Sequence, residues 1–431
     1  MQEMMPNILL IVIDSFNADK FHSQHKTSKT PNIDFLIENG AFFTQATSSA
    51  DATLLSTTSL FTGKYTFKTG IRSPKLNKLK DGVTTYFTIF HNNGYHLYAH
   101  RPTLQENDDL FPKFENNDSL YDVFQNLSDG LGNKVLKMFD TYTMKEPWFF
   151  FVHPHDLHQP IIVSKGFDNE TFGSSNYEKQ VSAVDYWIGK ILEKIDLTNT
   201  LVVVTADHGS FVKSLTIDGK SQIEADGRTQ MLISKLSNKI PKFLEPIKNK
   251  LFFLIENYKQ KKKEAIVSKL VVLPHVKRNL LAGRFSTEHS VFDDQIRIPL
   301  LFVGYGIKKG IKISQQTRNI DIFPTICDII EIPNKLDVDG VSLKPLLDGD
   351  MLDEIPAYLE SNPLILTKSY DVIGVRTSKY KYFRDNRDST KRVHIYDLEN
   401  DPFEDKNIAD KRPDIVTKME MILQNILNGI L

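Results

Sequence analysis

Four short apolar runs rich in β-branched and aromatic residues, 8–13, 148–152, 201–204 and 300–303, each break off at a polar loop. Runs of four to six such residues suit strands buried on both faces, whereas a membrane span needs about 20 apolar residues. Between them lie stretches 33–39, 83–92 and 177–195, where apolar residues recur at helical spacing. Strand and helix therefore alternate. That pattern predicts an α/β fold with a mostly parallel central sheet flanked by helices. In such sheets chemistry gathers just beyond the carboxyl ends of the strands, where Asp14 and Asp207 fall.

At 431 residues the chain exceeds one ordinary core, so a large and a small domain are expected. The reading is a catalytic α/β domain over 1–345 and a C-terminal α+β subdomain over 346–431. Within the latter, short antiparallel strands are expected at 371–376, 379–384 and 393–396, and a closing helix at 413–427. Lys and Arg (53) nearly balance Asp and Glu (54), so no nucleic-acid partner is expected. The exception is local. Residues 235–284 hold thirteen Lys and Arg against three Glu, threaded with apolar residues at helical spacing. This reads as a basic helical insertion, about 211–285, suited to an anionic lipid headgroup at a membrane surface, a phosphorylated glycan or another polyanion. A dimerisation arm of a homo-oligomer, or a solvated hairpin, is the plainer reading. The single cysteine, Cys327, lies in an apolar run and reads as a buried thiol. Without a cysteine pair or a leader-like apolar segment, a cytoplasmic location is expected.

The chemistry begins with Asp14 and the pair Asp207-His208, whose carboxylate and imidazole donors at strand ends suit a divalent cation. Gly209 allows backbone to approach closely there. Each Asp alone could equally cap a helix. The stretch from Thr53 to Gly63, TLLSTTSLFTG, adds a hydroxyl-rich helix start.

On these residues the chain resembles the alkaline phosphatase and sulfatase superfamily. Ser59-Leu60-Phe61-Thr62-Gly63 matches the tail of the sulfatase C-x-P-S-R-x-S-L-L-T-G element, placing Thr53 at the nucleophile position. Residues 6–14 resemble the opening metal strand, 153–160 an H-x-x-D-x-H-x-P element, 205–209 the second metal motif, Glu288-His289 a G-E-H element, and 395–402 a Y-D-L-x-x-D-P signature. The resemblance implies a divalent metal (Mn, Zn, Ca or Mg) on Asp14, Thr53, Asp207 and His208. It implies a second ion or substrate contacts at Asp156, His158 and His289, the two histidines doubling as catalytic groups. His153 and His155 belong to the same cluster, with more weight on satisfied polar residues near the sheet edge, and Asp51 and Lys64 flank the nucleophile motif within reach of substrate but read more readily as solvated charges.

The departures matter equally. Threonine cannot become the formylglycine aldehyde that sulfatases make from cysteine or serine, Thr57 stands where the conversion signature has arginine, and Ser15 replaces the second Asp of a D-D pair. The expectation is therefore a metal-dependent hydrolase or transferase acting on phosphoesters, diesters or phosphonates foremost, through a covalent Thr53 intermediate. The alternatives are a sulfatase working without formylglycine on a sulfate-ester or glycan substrate, and a catalytically silent anion-binding protein.

Overall fold

In the computed structural model, residues 5–24, 26–73, 76–103, 109–140, 144–210, 258, 261–282, 291–333, 337–361 and 371–430 are described, with the backbone of 216–217 and 220–221. The strands are β1 (Asn7–Ile13), β2 (Gly40–Thr47), β3 (His96–Pro102), β4 (Leu120–Tyr121), β5 (Trp148–Val152), β6 (Thr200–Ala206), β7 (Thr216–Ile217), β8 (Lys220–Ser221), β9 (Arg297–Gly304), β10 (Ile311–Arg318), β11 (Ala357–Glu360), β12 (Val372–Arg376), β13 (Tyr380–Asp385) and β14 (His394–Asp397). Eight of them form one sheet in the order β10-β2-β9-β6-β1-β5-β3-β4. β9 pairs antiparallel with both neighbours and every other pairing is parallel, as the alternating pattern predicts.

Every residue of β1, β5 and β6 is buried, which explains why these strands read as unbroken apolar runs. β2, β3 and β10 were not foreseen. Gln45, His96, His100, Lys312, Gln315 and Gln316 interrupt their apolar sequence, and β10 lies at the sheet edge, where half-exposed positions tolerate polar residues. Aromatic residues fill one face of the sheet. Phe61 packs against Phe87, Phe111, Phe151 and Phe323 at centroid distances of 4.7–5.7 Å. The helix carrying Phe61 is thereby clamped to β5.

Helix Pro31–Asn39 shows how far-apart segments complete each other. Its N-cap Thr30 makes no side-chain cap. Asp185, from helix Asn176–Leu192, instead accepts hydrogen bonds from the amides of Ile33 (2.7 Å) and Asn32 (3.3 Å) and from Asn32 Nδ2 (2.9 Å). Asp185→Ala leaves these buried donors unpaired. A loss of about 1–3 kcal/mol in urea unfolding is expected, with metal affinity unchanged.

The second sheet, β11-β12-β13-β14, is an antiparallel meander, with helix Pro413–Leu427 buried on it through Ile415, Met419, Leu423 and Ile426. The sequence foresaw β12, β13, β14 and the helix, but not β11. Buried charges fasten the two sheets together. Asp293 receives Arg376 Nη2 at 2.9 Å and Lys381 Nζ at 2.5 Å, Lys381 also meets Glu404 at 2.6 Å, and Arg376 reaches Gln45 of β2 at 2.7 Å. Most of the basic insertion lies outside the described residues; of the remainder, 261–267 and Pro274–Leu281 are helical. Among the described residues no helix is long and apolar enough to cross a membrane.

Candidate active site

Three adjacent parallel strands, β6, β1 and β5, end at the same edge, and the next residue on each is polar: Asp207, Asp14 and His153. Pairing of Ile13 with Ala206 and of Ile11 with Val152 puts these residues side by side. All three are fully buried. The turn after β1 ties the two carboxylates together through Ser15, whose hydroxyl donates to Asp14 Oδ1 (2.6 Å) and whose amide donates to Asp207 Oδ1 (3.0 Å). Ser15 holds φ at +59°, a conformation that costs a non-glycine residue on the order of 1–3 kcal/mol. Tyr177 locks it by donating to the Ser15 carbonyl at 2.7 Å and accepting the Asn17 amide at 3.0 Å.

Thr53 is the first residue of helix Thr53–Thr62, following the extended Ala52. Its hydroxyl donates to Asp14 Oδ2 at 3.2 Å and lies 3.2 Å from His208 Nε2. The helix is pinned from beneath, because Ser56 donates to the Asp207 carbonyl and Asn319 Nδ2 donates to the Ser56 carbonyl at 3.2 Å. β11 steadies the preceding loop, with the Glu360 amide donating to the Ser49 carbonyl at 3.0 Å.

The imidazoles turn inward. His208 Nδ1 lies 2.7 Å from the Gly209 carbonyl and His155 Nδ1 lies 3.1 Å from the Val123 carbonyl. A carbonyl only accepts, so each Nδ1 carries a proton and Nε2 is the nitrogen each ring turns toward the site. Those nitrogens face oxygens, with His155 Nε2 3.3 Å from Asp14 Oδ2 and His208 Nε2 3.5 Å from Asp207 Oδ2. His153 Nε2 stands 3.8 Å from Asp14 and 4.0 Å from Asp207. Asp207 Oδ2 is buried and receives no hydrogen-bond donor among the described residues. Asp14, His153 and Asp207 can present ligand atoms within 4.8 Å of one another, and so can Asp14, His155 and His158.

Two buried carboxylates whose only ion-pair partners among the described residues are histidines, ringed by imidazole nitrogens, form a site that a cation fits. Burial alone would raise the Asp14 carboxyl, but His155, His158, His208 and His153 outweigh it and hold the group well below the usual carboxylate range. Burial pushes His153 and His155 down toward the neutral ligand form. Burial pushes His208 down as well, yet Asp207 and Asp14 overcome it and leave that imidazole raised.

Of the residues singled out in the sequence, Asp14, Thr53, Asp207, His208 and His158 converge. Asp156 does not join them, and this corrects the expected second-ion role. Its carboxylate turns to the Leu127 amide (3.1 Å) and Gln180 Nε2 (3.0 Å), and burial pushes it up to about 7 despite those donors. His153 and His155, the members of that cluster given the weaker functional weight, face Asp14 instead. The strand-end rule that flagged Asp14 applies equally to His153 after β5. His289 and Glu288 lie outside the described residues.

Gly209 explains the tight seat of the Asp207-His208 pair. A Cβ there would stand 2.2 Å from the Asp294 carbonyl oxygen, while the Gly209 amide donates to the Gln295 carbonyl at 2.6 Å. Gly209→Ala must push His208 or the 294–295 backbone aside. Calorimetry is expected to show a loss of about 1–3 kcal/mol, with weaker metal binding.

A family model described as Sulfatase matches residues 6–332, and one described as N-sulphoglucosamine sulphohydrolase, C-terminal, matches residues 283–428. Arylsulfatase K of Homo sapiens is 23% identical over 475 residues, spanning 98% of this chain and 82% of the relative. Among solved structures, the phosphonate monoester hydrolase of Agrobacterium radiobacter superposes with a TM-score of 0.69 at 15% identity, covering 99% of this chain and 96% of the other. A 2-O GAG sulfatase superposes with a TM-score of 0.65 at 18% identity, covering 99% and 92%.

Proposed function

The chain belongs to the sulfatase family, and we propose that it is a divalent-metal-dependent hydrolase of sulfate esters borne by sugars, in which Thr53 occupies the attacking position as an unmodified alcohol. The observation that carries this reading is the placement of Thr53 Oγ1, 3.2 Å from both Asp14 Oδ2 and His208 Nε2. The sulfate-ester class is drawn from relatives that cover nearly the whole chain, Arylsulfatase K among them, and from the 2-O GAG sulfatase that shares the fold. The preference for phosphoesters, which rested on Thr53, Thr57 and Ser15 and on the likeness of the metal set to phosphoester-cleaving members, gives way to it.

Asp14, Asp207 and His208 would hold the cation, with Thr53 as a further ligand and His153 closing the cage. Bound there, the metal would lower the pKa of the hydroxyl and neutralise charge on the ester's nonbridging oxygens. The protein's own groups do the rest. Asp14 Oδ2 lies between Thr53 Oγ1 and His155 Nε2, so the hydroxyl proton has a path to an imidazole. Attack forms the Thr53 Oγ1–S bond and breaks the bond from sulfur to the ester oxygen, which takes a proton from His158. His158 stacks on His155 at 4.1 Å and is the more exposed of the two rings. Water, giving one proton to His158, then attacks sulfur and the S–Oγ1 bond breaks, so that sulfate leaves and Thr53 takes back its proton from His155.

One feature supports a second reading, transfer of a phosphoryl or phosphonyl group. Oxidation of threonine at Cβ gives a ketone and never an aldehyde, so both displacements must occur at the central atom, the route phosphoryl transfer follows. Turnover of 4-nitrophenyl sulfate, 4-nitrophenyl phosphate, its diester and 4-nitrophenyl phenylphosphonate, each with Mn, Ca, Zn or Mg, separates the two. Metal-dependent sulfate release is expected. Turnover of phosphorus esters with inert sulfates would replace the first reading by the second, and inertness toward all of them would favour a protein that only binds anions.

A further inference from the structure

The return of the basic insertion is a helical hairpin, in which helix 261–267 turns through 268–273 into helix Pro274–Leu281. The Lys263 ammonium donates to the Ala282 carbonyl at 2.8 Å, so the first helix lies back against the end of the second. Val267, Leu280 and Ala282 form its buried inner side. The second helix is fastened to the body of the protein. His275 Nδ1 lies 2.9 Å from Asp405, the His275 amide donates to the same carboxylate at 2.6 Å, and Arg278 donates to the carbonyls of Phe403 (3.0 Å) and Glu404 (3.1 Å) while stacking on Phe292 at 3.8 Å.

The outer side is unlike the inner one. Lys262, Ala265, Ile266 and Lys269 follow at three- and four-residue spacing, which sets them on one stripe turned away from Lys263 and Val267, and all four are exposed. At the turn, Val271 is fully exposed and Leu273 is 61% exposed, while Ile266 is 50% exposed. Phe403, 52% exposed, stacks on His275 at 4.6 Å and extends this apolar surface past Leu273. Loop tips ordinarily carry small or polar residues, and an exposed apolar patch rimmed by charge marks a contact surface. The rim here is cationic. Residues 261–282 hold six Lys and Arg against one Glu. Lys261, Lys262, Lys269 and Lys277 are exposed, and no salt bridge ties them to a carboxylate among the described residues.

That combination selects among anionic partners. A sulfated glycan or a nucleic acid would meet the lysines and leave Val271 and Leu273 in water. A second copy of the chain would set lysine against lysine across a two-fold axis. An anionic bilayer satisfies both features at once: the aliphatic tip enters the boundary between headgroups and acyl chains, and the ammonium groups meet the lipid phosphates and carboxylates. Because the hairpin is already anchored, docking orders little of the chain.

We propose that the turn 268–273 and the outer stripe of the helix before it form a docking surface for an anionic lipid bilayer. The proposal is independent of the ester that Thr53 handles. The full chain is sedimented with vesicles of two parts phosphatidylcholine to one part phosphatidylserine, and with vesicles of phosphatidylcholine alone. One variant carries Val271→Ser and Leu273→Ser, and another carries Lys261→Gln, Lys262→Gln, Lys269→Gln and Lys277→Gln. All six positions are exposed, so the thermal midpoint should stay at the wild-type value. Wild type is expected to partition onto the mixed vesicles at least about ten-fold more strongly than onto phosphatidylcholine alone, and each variant to lose at least about ten-fold. Cys327 is buried, so a polarity-sensitive maleimide dye on Val271→Cys reports from the turn. Its emission should shift to the blue on mixed vesicles. Absence of partitioning, an unmoved emission, or undiminished partitioning of either variant would overturn the proposal. Undiminished partitioning of the serine variant, with retention of both it and wild type on dextran sulfate, would replace the bilayer by a polyanionic chain.

Discussion

Thr53→Ala is expected to lower metal-dependent kcat/KM by at least about 10³-fold, with secondary structure and thermal midpoint close to wild type. The side chain contributes little to folding, because Thr53 opens its helix and its hydroxyl bonds toward Asp14 and His208. The helix is anchored by Phe61 in the aromatic core and by Ser56 and Asn319 below, none of which the substitution touches. What is removed is the alcohol seated between a carboxylate and an imidazole at the three strand ends. Thr53→Ser restores that oxygen and should recover turnover to within about ten-fold of wild type, since only a methyl group is lost. Mass spectrometry after rapid acid quench should find the transferred group on Thr53 in wild type, and on the substituted serine in the Thr53→Ser variant. Turnover by Thr53→Ala at a rate near wild type would remove Thr53 from the chemistry.

The second large effect concerns charge. Asp14 and Asp207 lie fully buried one strand apart, and no Lys or Arg among the described residues pairs with either. Burial of uncompensated carboxylates is costly, so the folded protein should bind a divalent cation with affinity linked to its stability. Removing the metal with a chelator is expected to abolish turnover and lower the thermal midpoint by several degrees. The linkage gives about 2.7 kcal/mol at a free-metal concentration 100 times Kd. Asp207→Asn removes this dependence. Its Oδ1 still accepts the Ser15 and His208 amides, at 3.0 and 2.7 Å in the parent, while the negative charge is gone. The metal-free variant should melt at or above the metal-free wild type, yet gain nothing from added metal, with affinity reduced by more than about 100-fold. Equal stabilisation of wild type and Asp207→Asn by metal, measured by calorimetry with elemental analysis of bound ions, would place the cation elsewhere.

Asp14 and Asp207 were legible because a buried strand must end in a loop, and a carboxylate at that boundary stands out against the apolar residues before it. His153 follows the same rule after β5, yet its companions His155, Asp156 and His158 gave four polar candidates on one short loop. Which of them face Asp14 depends on the path of that loop over Leu127 and Val123. Asp156 is drawn away by the Leu127 amide and Gln180, while His155 is oriented by the Val123 carbonyl. Leu127 and Val123 lie some thirty residues distant, beyond the reach of any local pattern.

Ser15 shows a different kind of blindness. In the sequence it registers as a missing second aspartate, and in three dimensions it is the brace that joins Asp14 to Asp207 from a left-handed backbone conformation that Tyr177 enforces.

By itself the sequence determined the alternation of strand and helix, the edge of the sheet where polar residues gather, and the family. These are properties of local periodicity and of residues adjacent along the chain, so they survive without knowledge of the fold. The tertiary structure alone decided which histidines turn Nε2 toward the carboxylates, and that Asp156 turns to the Leu127 amide and Gln180. Those outcomes hang on hydrogen bonds closed between distant segments, whose geometry exists only once the sheet has brought them together.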